Sequence, residues 1–478
     1  MSCLATPLRF LPVLPQELQL ATVLKSGQSF RWHRTTPVHA TRTPGYTLRE
    51  GQEDEEWSFG WGDRTVVLRQ DDEGIHYRSL YPHRPPHTAY LADTEKDTTR
   101  PLLVDYFQLS TPLAPLYSQW SSSDRKFATK IKLDEEQGGG RLRGVRVLKQ
   151  DEWETLVSFI CSANNNIARI TLMVNRLCAQ LGSPLPHPTH YPPTPSCPSS
   201  PPLSPPNDLS LYSFPPPSFL TNIPKTESLL RQLGFGYRAN FIPTSSLHLV
   251  TTSSLLNLSP LEYLESLRKD RYVEREQGKG LAEVREKLLE FKGVGRKVAD
   301  CVMLFGLGWS EVVPVDTHVF QIAIRDYAFP STKTTSLTPL LHDRVSEHLS
   351  KKWSPHAGWC QQVLFFADLK STTNSSASSS PVKKGTVYSK IEIKEDAEDG
   401  EVDGRERKKS FEEEVKEIME NPGRKRRRVT VIKKEEVSKV KVKVEGEKSI
   451  VEETREGTVG SRTPIVEVKK ETLIKVES

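Results

Sequence analysis

Alternating bulky and polar residues dominate the first part of the chain. The segments FRWHR, EEWSFGWGDRTVVLRQ and GIHYRSLY alternate apolar or aromatic residues with polar ones and are separated by Pro, Gly and Asp. A period of two with turn residues between the runs is typical of an antiparallel sheet. From Leu102 to Trp120 the apolar residues recur near helical spacing instead. The pattern predicts an N-terminal α+β domain over residues 1–145.

A helical period begins near Gln150. Asp151 is a suitable N-cap, because its carboxylate can accept a hydrogen bond from a free N–H of the first turn. The apolar residues that follow share one helical face, and they are Trp153, Leu156, Val157 and Ile160. We therefore expect a helical domain over residues 146–370.

Two insertions and a tail depart from these periods. Residues 183–221 are packed with Pro and Ser, so this insertion should be exposed rather than part of a core. A charged stretch over residues 268–280 should also bulge outward. Residues 371–478 consist mainly of Lys, Glu, Val, Ser and Thr and have almost no aromatic residues. Such a tail cannot bury enough apolar area to offset the entropy cost of ordering, so we predict that it is disordered.

Composition narrows the class of protein only a little. The formal net charge is +5 over 478 residues, which argues weakly for a polyanionic partner. The six cysteines are scattered and contain no C-x-x-C pair, so they indicate neither a zinc site nor a disulfide framework, and we expect a reduced compartment. No apolar run approaches the roughly 20 residues that span a bilayer, so no membrane association is expected.

The strongest motif is LAEVREKLLEFKGVGRKVADCVMLFGL, which occupies residues 281–307. It predicts a helix, a tight turn at Gly293 to Gly295, and a second helix from about Arg296. Glycines let a backbone approach a ligand closely, and the free N–H groups at the start of the second helix suit a phosphate. A helix-hairpin-helix of this kind holds a DNA backbone without reading its sequence. The alternative is an ordinary helical hairpin whose glycines serve only the turn.

Lys297 and Asp316 carry the candidate chemistry. Lys297 stands at the head of the second helix, with Cys301 four residues further on the same face. The segment V-P-V-D-T-H then places Asp316 at the N-cap of a helix that runs toward Tyr327. Taken alone, this aspartate would be an ordinary cap. A protein that only clamps phosphates, however, has no use for both residues.

The combination resembles the helix-hairpin-helix glycosylases that end in a Gly/Pro-rich segment and a catalytic aspartate. Four further segments narrow the resemblance to the eukaryotic 8-oxoguanine DNA glycosylase/AP lyase family. They are SGQSFRW at residues 26–32, FICSANNNIARI at 159–170, LGFGYRANF at 233–241 and HAGWCQQVLFFADL at 356–369. Each one alone could be a turn, a cap or a helix end. Because they occur in the family's order, the resemblance covers most of residues 1–370 and none of the tail.

The resemblance implies an α+β fold that is mostly α. An N-terminal antiparallel β domain, similar to the TATA-binding protein, would be followed by helical domains that contain the helix-hairpin-helix. It further implies a DNA N-glycosylase with AP lyase activity that acts in base excision repair, without a cofactor or a metal. We expect a monomer that binds duplex DNA with 8-oxoguanine opposite cytosine and extrudes the damaged nucleotide into a pocket.

By the same resemblance, five residues line the pocket for the extruded base: Gly27, Cys301, Gln361, Phe365 and Asp368. Phe365 and Cys301 would sandwich the base, and Gln361 would read its Watson–Crick edge. Oxidation at C8 turns the purine N7 from an acceptor into an N–H donor. The carbonyl of Gly27 could therefore distinguish damaged from normal guanine.

Other matching residues would contact the DNA around the lesion. The residues that match those holding the remaining cytosine are Asn164, Arg169 and Arg238, and their side chains offer fixed arrays of donors. Tyr237 matches a wedge that helps to bend the duplex. The implied phosphate contacts are Gly293, Gly295 and His318.

The resemblance makes Lys297 the nucleophile. An amine that attacks the sugar C1′ must be deprotonated, and we expect partial burial, Arg296 and the positive end of the helix to disfavour the ammonium form. Asp316 would act as a carboxylate that stabilises positive charge on the sugar. Lys292 and Arg296 depart from the family pattern, which expects a proline and a smaller residue, and this puts the loop shape in doubt.

The thymine-glycol and mismatched-adenine glycosylases are the nearest rivals to this interpretation, but many hold an iron–sulfur cluster on four cysteines after the catalytic aspartate. Here only Cys360 follows Asp316, so that cluster is excluded by ligand count. Two further hypotheses stay open. The chain could be a helix-hairpin-helix glycosylase for another oxidised base, or a non-catalytic DNA-binding protein.

The tail carries signals of its own. Residues 424–428, RKRRR, form a basic cluster of the kind that nuclear import receptors bind, so we expect a nuclear protein. An additional mitochondrial pool is an alternative, although the single Arg9 is little for such an address. Apolar-Lys-x-acidic patterns that resemble acceptor sites for SUMO are centred on Lys394, Lys433, Lys443, Lys469 and Lys475.

Overall fold

The structure of the chain is a computed structural model. It describes residues 3–35, 55–84, 86–138, 140–188, 211–275, 280–331 and 337–375, and four short segments between residues 439 and 477. Residues 1–380 form one compact unit, and residues 381–478 form another.

An antiparallel sheet forms the N-terminal part of the first unit. Its strands are β1 (Cys3–Ala5), β2 (Arg9–Pro12), β3 (His33–Thr35), β4 (Glu56–Trp61), β5 (Arg64–Gln70) and β6 (Gly74–Pro82). The order is β1-β6-β5-β4-β3, and β2 also pairs with β6. The alternation along β4, β5 and β6 therefore gives the predicted sheet.

Helices make up most of the remaining first unit. They are α1 (Leu20–Val23), α2 (Thr88–Lys96), α3 (Thr99–Tyr106), α4 (Leu113–Ser123), α5 (Arg125–Gly138), α6 (Glu152–Ile160), α7 (Ile167–Leu181), α8 (Ile223–Gln232), α9 (Phe241–Leu255), α10 (Pro260–Glu265), α11 (Lys269–Arg275), α12 (Leu281–Leu289), α13 (Arg296–Phe305), α14 (Thr317–Tyr327), α15 (Pro339–Trp353) and α16 (Ala357–Ser375). None of the described helices is long and apolar enough to cross a membrane. The fold is mostly α, as predicted.

Two apolar cores hold the first unit together. One lies between the sheet and α3, and the other lies among the helices. The helical core includes α4 and α5, whose residues fall before the predicted domain boundary at residue 145. That boundary stays a prediction, because the compact unit is continuous across it.

The stretch from Leu102 to Trp120, whose apolar spacing predicts helical structure, is divided between α3 and α4. The chain breaks after α3, where Gln108 adopts a left-handed conformation, and α4 begins after Pro112. The buried Arg146 guanidinium donates to the carbonyls of Phe107, Gln108 and Thr111. These bonds satisfy main-chain groups that a continuous helix would have paired internally.

Helix α6 lies at the centre of the helical core, and every residue in it is buried. Asp151 caps it as predicted, with its carboxylate 2.7 Å from the backbone N of Glu154. The ring of Phe159 stacks on Phe305 of α13 at a centroid distance of 5.3 Å. Helices α6 and α13 are therefore packed against each other.

A buried ion pair connects α6 to the N-terminal sheet. The Arg31 guanidinium donates to both carboxylate oxygens of Glu154, at 3.0 and 2.7 Å. It also donates to the carbonyls of Gly60 in β4 and Tyr212. Burial of both charges is tolerated because each is paired and hydrogen-bonded.

The Pro/Ser-rich insertion is partly buried, so the prediction that none of it joins the core is wrong. Its ends pair as strands β7 (Pro184–Leu185) and β8 (Leu211–Tyr212), and a 3-10 helix follows at Pro217–Leu220. Leu220 is fully buried, and the indole of Trp153 donates to the Pro215 carbonyl. Residues 189–210, which contain most of the Pro and Ser, lie outside the described part of the chain.

The charged insertion also packs against the body, contrary to the prediction that it bulges outward. Helix α11 buries Tyr272 against Trp309, with ring centroids 6.4 Å apart. Arg268 donates to the buried Glu152 carboxylate, and Lys269 lies 2.8 Å from Glu311. Residues 276–279 fall outside the described residues.

The second unit contains an antiparallel sheet. Its strands are β9 (Lys439–Val442), β10 (Ile450–Thr454), β11 (Ile465–Lys469) and β12 (Thr472–Glu477), in the order β10-β11-β12-β9. The predicted disorder of residues 371–478 stays a prediction for the remainder of this tail, most of which lies outside the described residues. The basic cluster at residues 424–428 is among the residues not described, as are Lys394, Lys433 and Lys443.

Candidate active site

The helix-hairpin-helix is formed by α12, a tight turn and α13, at the predicted bounds. Gly293 has a φ of +84°, and a Cβ at this position would lie 2.4 Å from the Phe241 ring. The carbonyl of Lys292 accepts a bond from Ser245, so the turn is anchored against α9. A Cβ at Gly295 would meet no atom within 4 Å. The turn is therefore fixed at its first glycine and open at its second.

The N terminus of α13 is available to a ligand. Gly295 is its N-cap, and no side chain of the described residues caps it. The first backbone N–H groups of α13 consequently keep their donor capacity, which suits an anionic group.

Lys297 is held against the end of α6. Its Nζ donates to Ser162 Oγ at 3.0 Å and lies 5.0 Å from the centroid of the Phe159 ring. Ser162 Oγ in turn donates to the Phe159 carbonyl at 2.7 Å. The amine is thus located by a hydroxyl whose own orientation is set by the main chain.

Arg296, which we expect to disfavour the ammonium form of Lys297, forms ion pairs of its own. Its guanidinium lies 2.9 Å from Glu286 and 3.5 Å from Asp343. Two carboxylates therefore compensate its charge. The two helices of the hairpin form with Lys292 and Arg296 at the positions that depart from the family pattern.

Asp316 caps α14 as predicted. Its Oδ1 accepts bonds from the backbone N–H groups of His318 and Val319, at 3.0 and 2.8 Å. Two such bonds fix the rotamer of the carboxylate. The negative charge then lies at the positive end of the helix, where it is favoured.

The Cys301 thiol is influenced by the charges of both Lys297 and Asp316. It is buried on α13, and burial raises its pKa to about 11. Lys297 lowers this pKa, whereas Asp316 raises it. Both charges therefore act on the same thiol, and Cys301 lies about one helical turn after Lys297 on α13.

His318, Phe365 and Asp368 form a second group beside α14. The rings of His318 and Phe365 are edge to face at 5.3 Å. His318 Nε2 lies 2.9 Å from the buried Asp368 carboxylate, which also accepts a bond from Arg325 at 2.7 Å. The predicted pocket residue Asp368 therefore lies beside His318 and is paired with Arg325.

Gln361 of α16 has an unsatisfied polar atom. Its side chain is buried, and its Oε1 has no hydrogen-bond partner among the described residues. Buried amide oxygens without a partner are uncommon in native proteins, and each requires an explanation. An acceptor reserved for a ligand is one such explanation.

Gly27 lies in a loop that is fixed by buried glutamines. Gln28 donates to the carbonyl of Arg146 at 3.0 Å, and Gln150 donates to the carbonyl of Gln28 at 2.9 Å. Gly27 has a φ of +78°, and a Cβ there would lie 2.8 Å from Ile167. Both observations require glycine at this position.

The residues predicted to contact the cytosine and to wedge the duplex converge on the turn after α6. Asn164 is exposed and adopts a left-handed conformation with φ +48°. Tyr237, which is 52% exposed, donates to the carbonyl of Ala163 at 3.1 Å. Arg169 donates to the carbonyl of Gly234 at 3.4 Å. These residues thus share one wall of the molecule.

Arg238 differs from the expectation for a residue that reads a base directly. It is only 2% exposed, and its guanidinium donates to the carbonyls of Ala163 and Asn164. It also lies 4.4 Å from the ring centroid of Tyr237. In this structure the side chain of Arg238 is buried against the turn after α6 and holds its main chain.

No group of three or more metal-ligating side chains occurs in the part of the chain that the structure describes.

Two family models match the chain and together cover both parts of the first unit. Residues 10–156 match the family described as 8-oxoguanine DNA glycosylase, N-terminal domain. Residues 157–353 match the HhH-GPD superfamily of base excision DNA repair proteins.

Two N-glycosylase/DNA lyases match along most of their length. An N-glycosylase/DNA lyase of Saccharomyces cerevisiae is 35% identical over 391 residues, which are 78% of this chain and 89% of the relative. The chain belongs to the 8-oxoguanine DNA glycosylase family. N-glycosylase/DNA lyase OGG1 of Arabidopsis thaliana is 34% identical over 358 residues, with 74% of this chain and 78% of that family member covered.

Solved structures of the 8-oxoguanine glycosylases share the fold. MBOgg1 in complex with a low-affinity DNA ligand matches with a TM-score of 0.51 and 21% identity, covering 78% of this chain and all of that one. The Clostridium acetobutylicum 8-oxoguanine glycosylase/lyase matches with a TM-score of 0.50 and 22% identity, covering 74% and 93%. The N-terminal sheet and helical body of this family member therefore follow a known architecture.

Several residues of the site in this glycosylase-family chain were not predicted from the sequence. Ser162 and Phe159 locate the Lys297 amine, although both stand in the segment FICSANNNIARI that carried the resemblance. Asp300, Arg285 and His342 form a buried polar cluster behind α13. The sequence offered one signal for the cluster, since an aspartate on the apolar face of a helix requires a partner.

The two hairpin glycines should respond differently to the same substitution. Gly293→Ser places a side chain in the left-handed region and against Phe241, so we expect it to lower the free energy of unfolding by about 1–2 kcal/mol. Gly295→Ser introduces a favoured N-cap residue where space is open, so stability should be unchanged or slightly higher. Urea denaturation of both variants checks this. Equal destabilisation would show that the turn is not fixed at Gly293.

Proposed function

We propose that this chain is a bifunctional DNA glycosylase and AP lyase that acts as a monomer and excises 8-oxoguanine opposite cytosine from duplex DNA. The observation that carries the proposal is the arrangement of Lys297 and Asp316. Each is positioned in the first turn or at the N-cap of its helix by defined hydrogen bonds. Membership of the 8-oxoguanine DNA glycosylase family and the names of its relatives support the same reaction.

The helix-hairpin-helix would hold the DNA backbone. Gly295 leaves open space at the turn, and the uncapped N–H groups of α13 suit a phosphate. His318, one-third exposed at the first turn of α14, would bind a second phosphate near the lesion. Tyr237 is 52% exposed, and an exposed aromatic ring can wedge into a bent duplex.

The damaged base would enter between Phe365 and Cys301. Gln361 offers a buried, unpaired oxygen that could accept a bond from the Watson–Crick edge. Gly27 would accept from the N7–H that oxidation creates, and the glutamine-fixed loop keeps its carbonyl in place. With a normal guanine, the unprotonated N7 and the carbonyl oxygen of Gly27 would face each other, and both are hydrogen-bond acceptors. A buried polar mismatch of this kind costs about 1–3 kcal/mol.

The reaction would begin with attack of the neutral Lys297 amine on the sugar C1′. The bond from C1′ to Nζ forms as the glycosidic bond breaks, and the base leaves with the bonding electrons. Opening of the sugar ring gives a Schiff base between Nζ and C1′. Loss of a proton from C2′ then expels the 3′ phosphate and cuts the strand. Ser162 would hold the amine on the correct side of the pocket before attack.

Asp316 would stabilise the positive charge that develops on the sugar as the base leaves. Its Oδ1 is committed to two backbone N–H groups, so the carboxylate cannot rotate away from α14. A carboxylate held in this manner needs no reorganisation during the reaction. Its contribution is electrostatic and not nucleophilic.

We further propose that the tail directs the protein to the nucleus. The basic residues 424–428 are the supporting feature, because compact Lys/Arg clusters are bound by nuclear import receptors. Lys394, Lys433, Lys443, Lys469 and Lys475 remain proposed acceptor sites for SUMO. A mitochondrial pool is the alternative location.

Replacing the nucleophile should separate binding from chemistry. We expect Lys297→Gln to abolish both base release and borohydride trapping on duplexes with 8-oxoguanine opposite cytosine, while lesion binding is retained. Asp316→Asn preserves the N-cap, because asparagine caps helices as well as aspartate does. It should still bind but slow base release by about 100-fold to 1000-fold, as loss of one electrostatic contact typically does.

Lys132→Gln is the matched control and should trap at the wild-type rate, because this lysine is exposed on α5 and lies 3.7 Å from Glu136 of the same helix. Base release is measured by single-turnover kinetics and the adduct by gel shift. Undiminished trapping in Lys297→Gln would assign the nucleophile to another residue.

The base opposite the lesion should control the rate. We expect excision to be fastest opposite cytosine and slow opposite adenine. Arg238→Ala should reduce this preference, because the buried guanidinium supports the turn that presents Asn164. Arg176→Ala is the control, because it removes an exposed arginine that donates to the carbonyl of Leu233. This variant should keep the preference for cytosine. Rates on duplexes with each of the four opposite bases test this, and equal rates in the wild type would contradict the assignment.

The basic cluster should determine localisation without affecting catalysis. We expect replacement of residues 424–428 by alanine to disperse a fluorescent fusion of the full chain from the nucleus, with base release unchanged. Alanine replacement of residues 407–409, RKK, is the matched control and should leave the fusion nuclear. Nuclear enrichment that survives loss of residues 424–428 would reject the cluster as the signal.

A further inference from the structure

A buried polar cluster lies between α12, α13 and α15. Asp300 of α13 is fully buried and accepts a bond from Arg285 of α12 at 2.7 Å. Its other oxygen lies 3.6 Å from Nε2 of the buried His342 on α15. Three helices thus contribute one polar side chain each, next to an otherwise apolar core.

His342 makes a main-chain contact that connects this cluster to Asp316. The backbone N–H of Val315 donates to His342 Nε2 at 3.3 Å. Since Nε2 accepts this bond, its lone pair must be free and the ring proton must reside on Nδ1. Nδ1 lies 3.6 Å from Asp343. Val315 directly precedes Asp316, so the imidazole helps to fix the position of the backbone at the capping residue.

The same imidazole is adjacent to the helix that carries the nucleophile. Asp300 follows Lys297 by three residues on α13, which is less than one helical turn. A displacement of α13 would therefore move Asp300 and Lys297 together. His342 contacts α13 through Asp300, and it contacts the segment that carries Asp316 through Val315.

We propose that His342 is a positioning residue that holds Asp316 and Lys297 at a fixed separation, by accepting the Val315 N–H while packing against Asp300. The inference rests on the proposed function, because it concerns the two groups that would perform the reaction. It adds a role for a residue that contacts neither the base nor the sugar.

The surroundings keep the His342 ring in the accepting form. Burial lowers its pKa to about 4, and Arg285 on α12 and Arg296 on α13 act in the same direction. Asp343, on the same helix as His342, acts in the opposite direction. Asp300 on α13 also faces the ring, and burial raises its pKa to about 7. The ring is consequently neutral at physiological pH, as the bond from Val315 requires.

Two substitutions of His342 separate positioning from simple packing. In His342→Gln, the amide oxygen can occupy the place of Nε2 and accept the Val315 N–H. In His342→Leu, a side chain of similar length fills the space without an acceptor. The full chain of each variant is assayed for single-turnover base release and borohydride trapping on the 8-oxoguanine duplex, for the dissociation constant, and for the urea midpoint.

We expect His342→Leu to slow base release about tenfold, which is the effect of losing one buried hydrogen bond, with the dissociation constant within about twofold of wild type. His342→Gln should restore the rate to within about threefold. Should His342→Leu fail to fold, His342→Asn replaces it, because its amide stops short of Val315 and should be slow as well.

Ser346→Ala is the matched control. Ser346 lies one turn further along α15 and donates to the carbonyl of Val313, so it contacts the same segment without a link to α13. Its rate should remain near that of wild type. Equal slowing in Ser346→Ala, or no rescue by His342→Gln, would overturn the positioning role. Wild-type protein that neither releases nor traps the lesion would instead overturn the proposed function, and this inference with it.

Discussion

Complete burial of α6 is the constraint on which the rest of the structure depends. A helix without a solvent face cannot leave its charged groups in water, so each must find a partner inside the protein. Glu154 is paired by Arg31, which precedes β3, and Glu152 is paired by Arg268 from the segment before α11. Burial raises the pKa of Glu152 to about 7, although Arg268 lowers it. The end of the same helix then supplies Phe159 and Ser162 to Lys297.

Local patterns were sufficient where the relevant interaction is local. The alternation in β4 to β6, the cap at Asp151 and the two glycines of the hairpin depend on residues within a few positions of one another. The cap at Asp316 is of the same kind. The candidate nucleophile and carboxylate were therefore accessible from the sequence, given a resemblance that suggested their roles.

Patterns failed where a distant side chain decides the outcome. The helical stretch from Leu102 to Trp120 is interrupted after α3, where Arg146, far along the chain, donates to the main-chain carbonyls of the break. The proline-rich insertion joins the core because Arg31 and Trp153 bond the carbonyls of Tyr212 and Pro215. Similarly, no local pattern indicates that His342 meets Val315 or that Arg238 turns inward. These contacts join residues that are separated by tens of positions or more.

The Arg31–Glu154 pair spans 123 positions of the chain and has a consequence for how the protein folds. Formation of the pair closes a long loop, whose entropy cost must be met before either charge is compensated. Sheet and helical body are then not independent folding units, because separating them would leave a buried carboxylate without its counter-charge. Unfolding of residues 3–375 is accordingly expected to be one cooperative transition, and a protease that cuts the N-terminal sheet would also release the helices that carry Lys297.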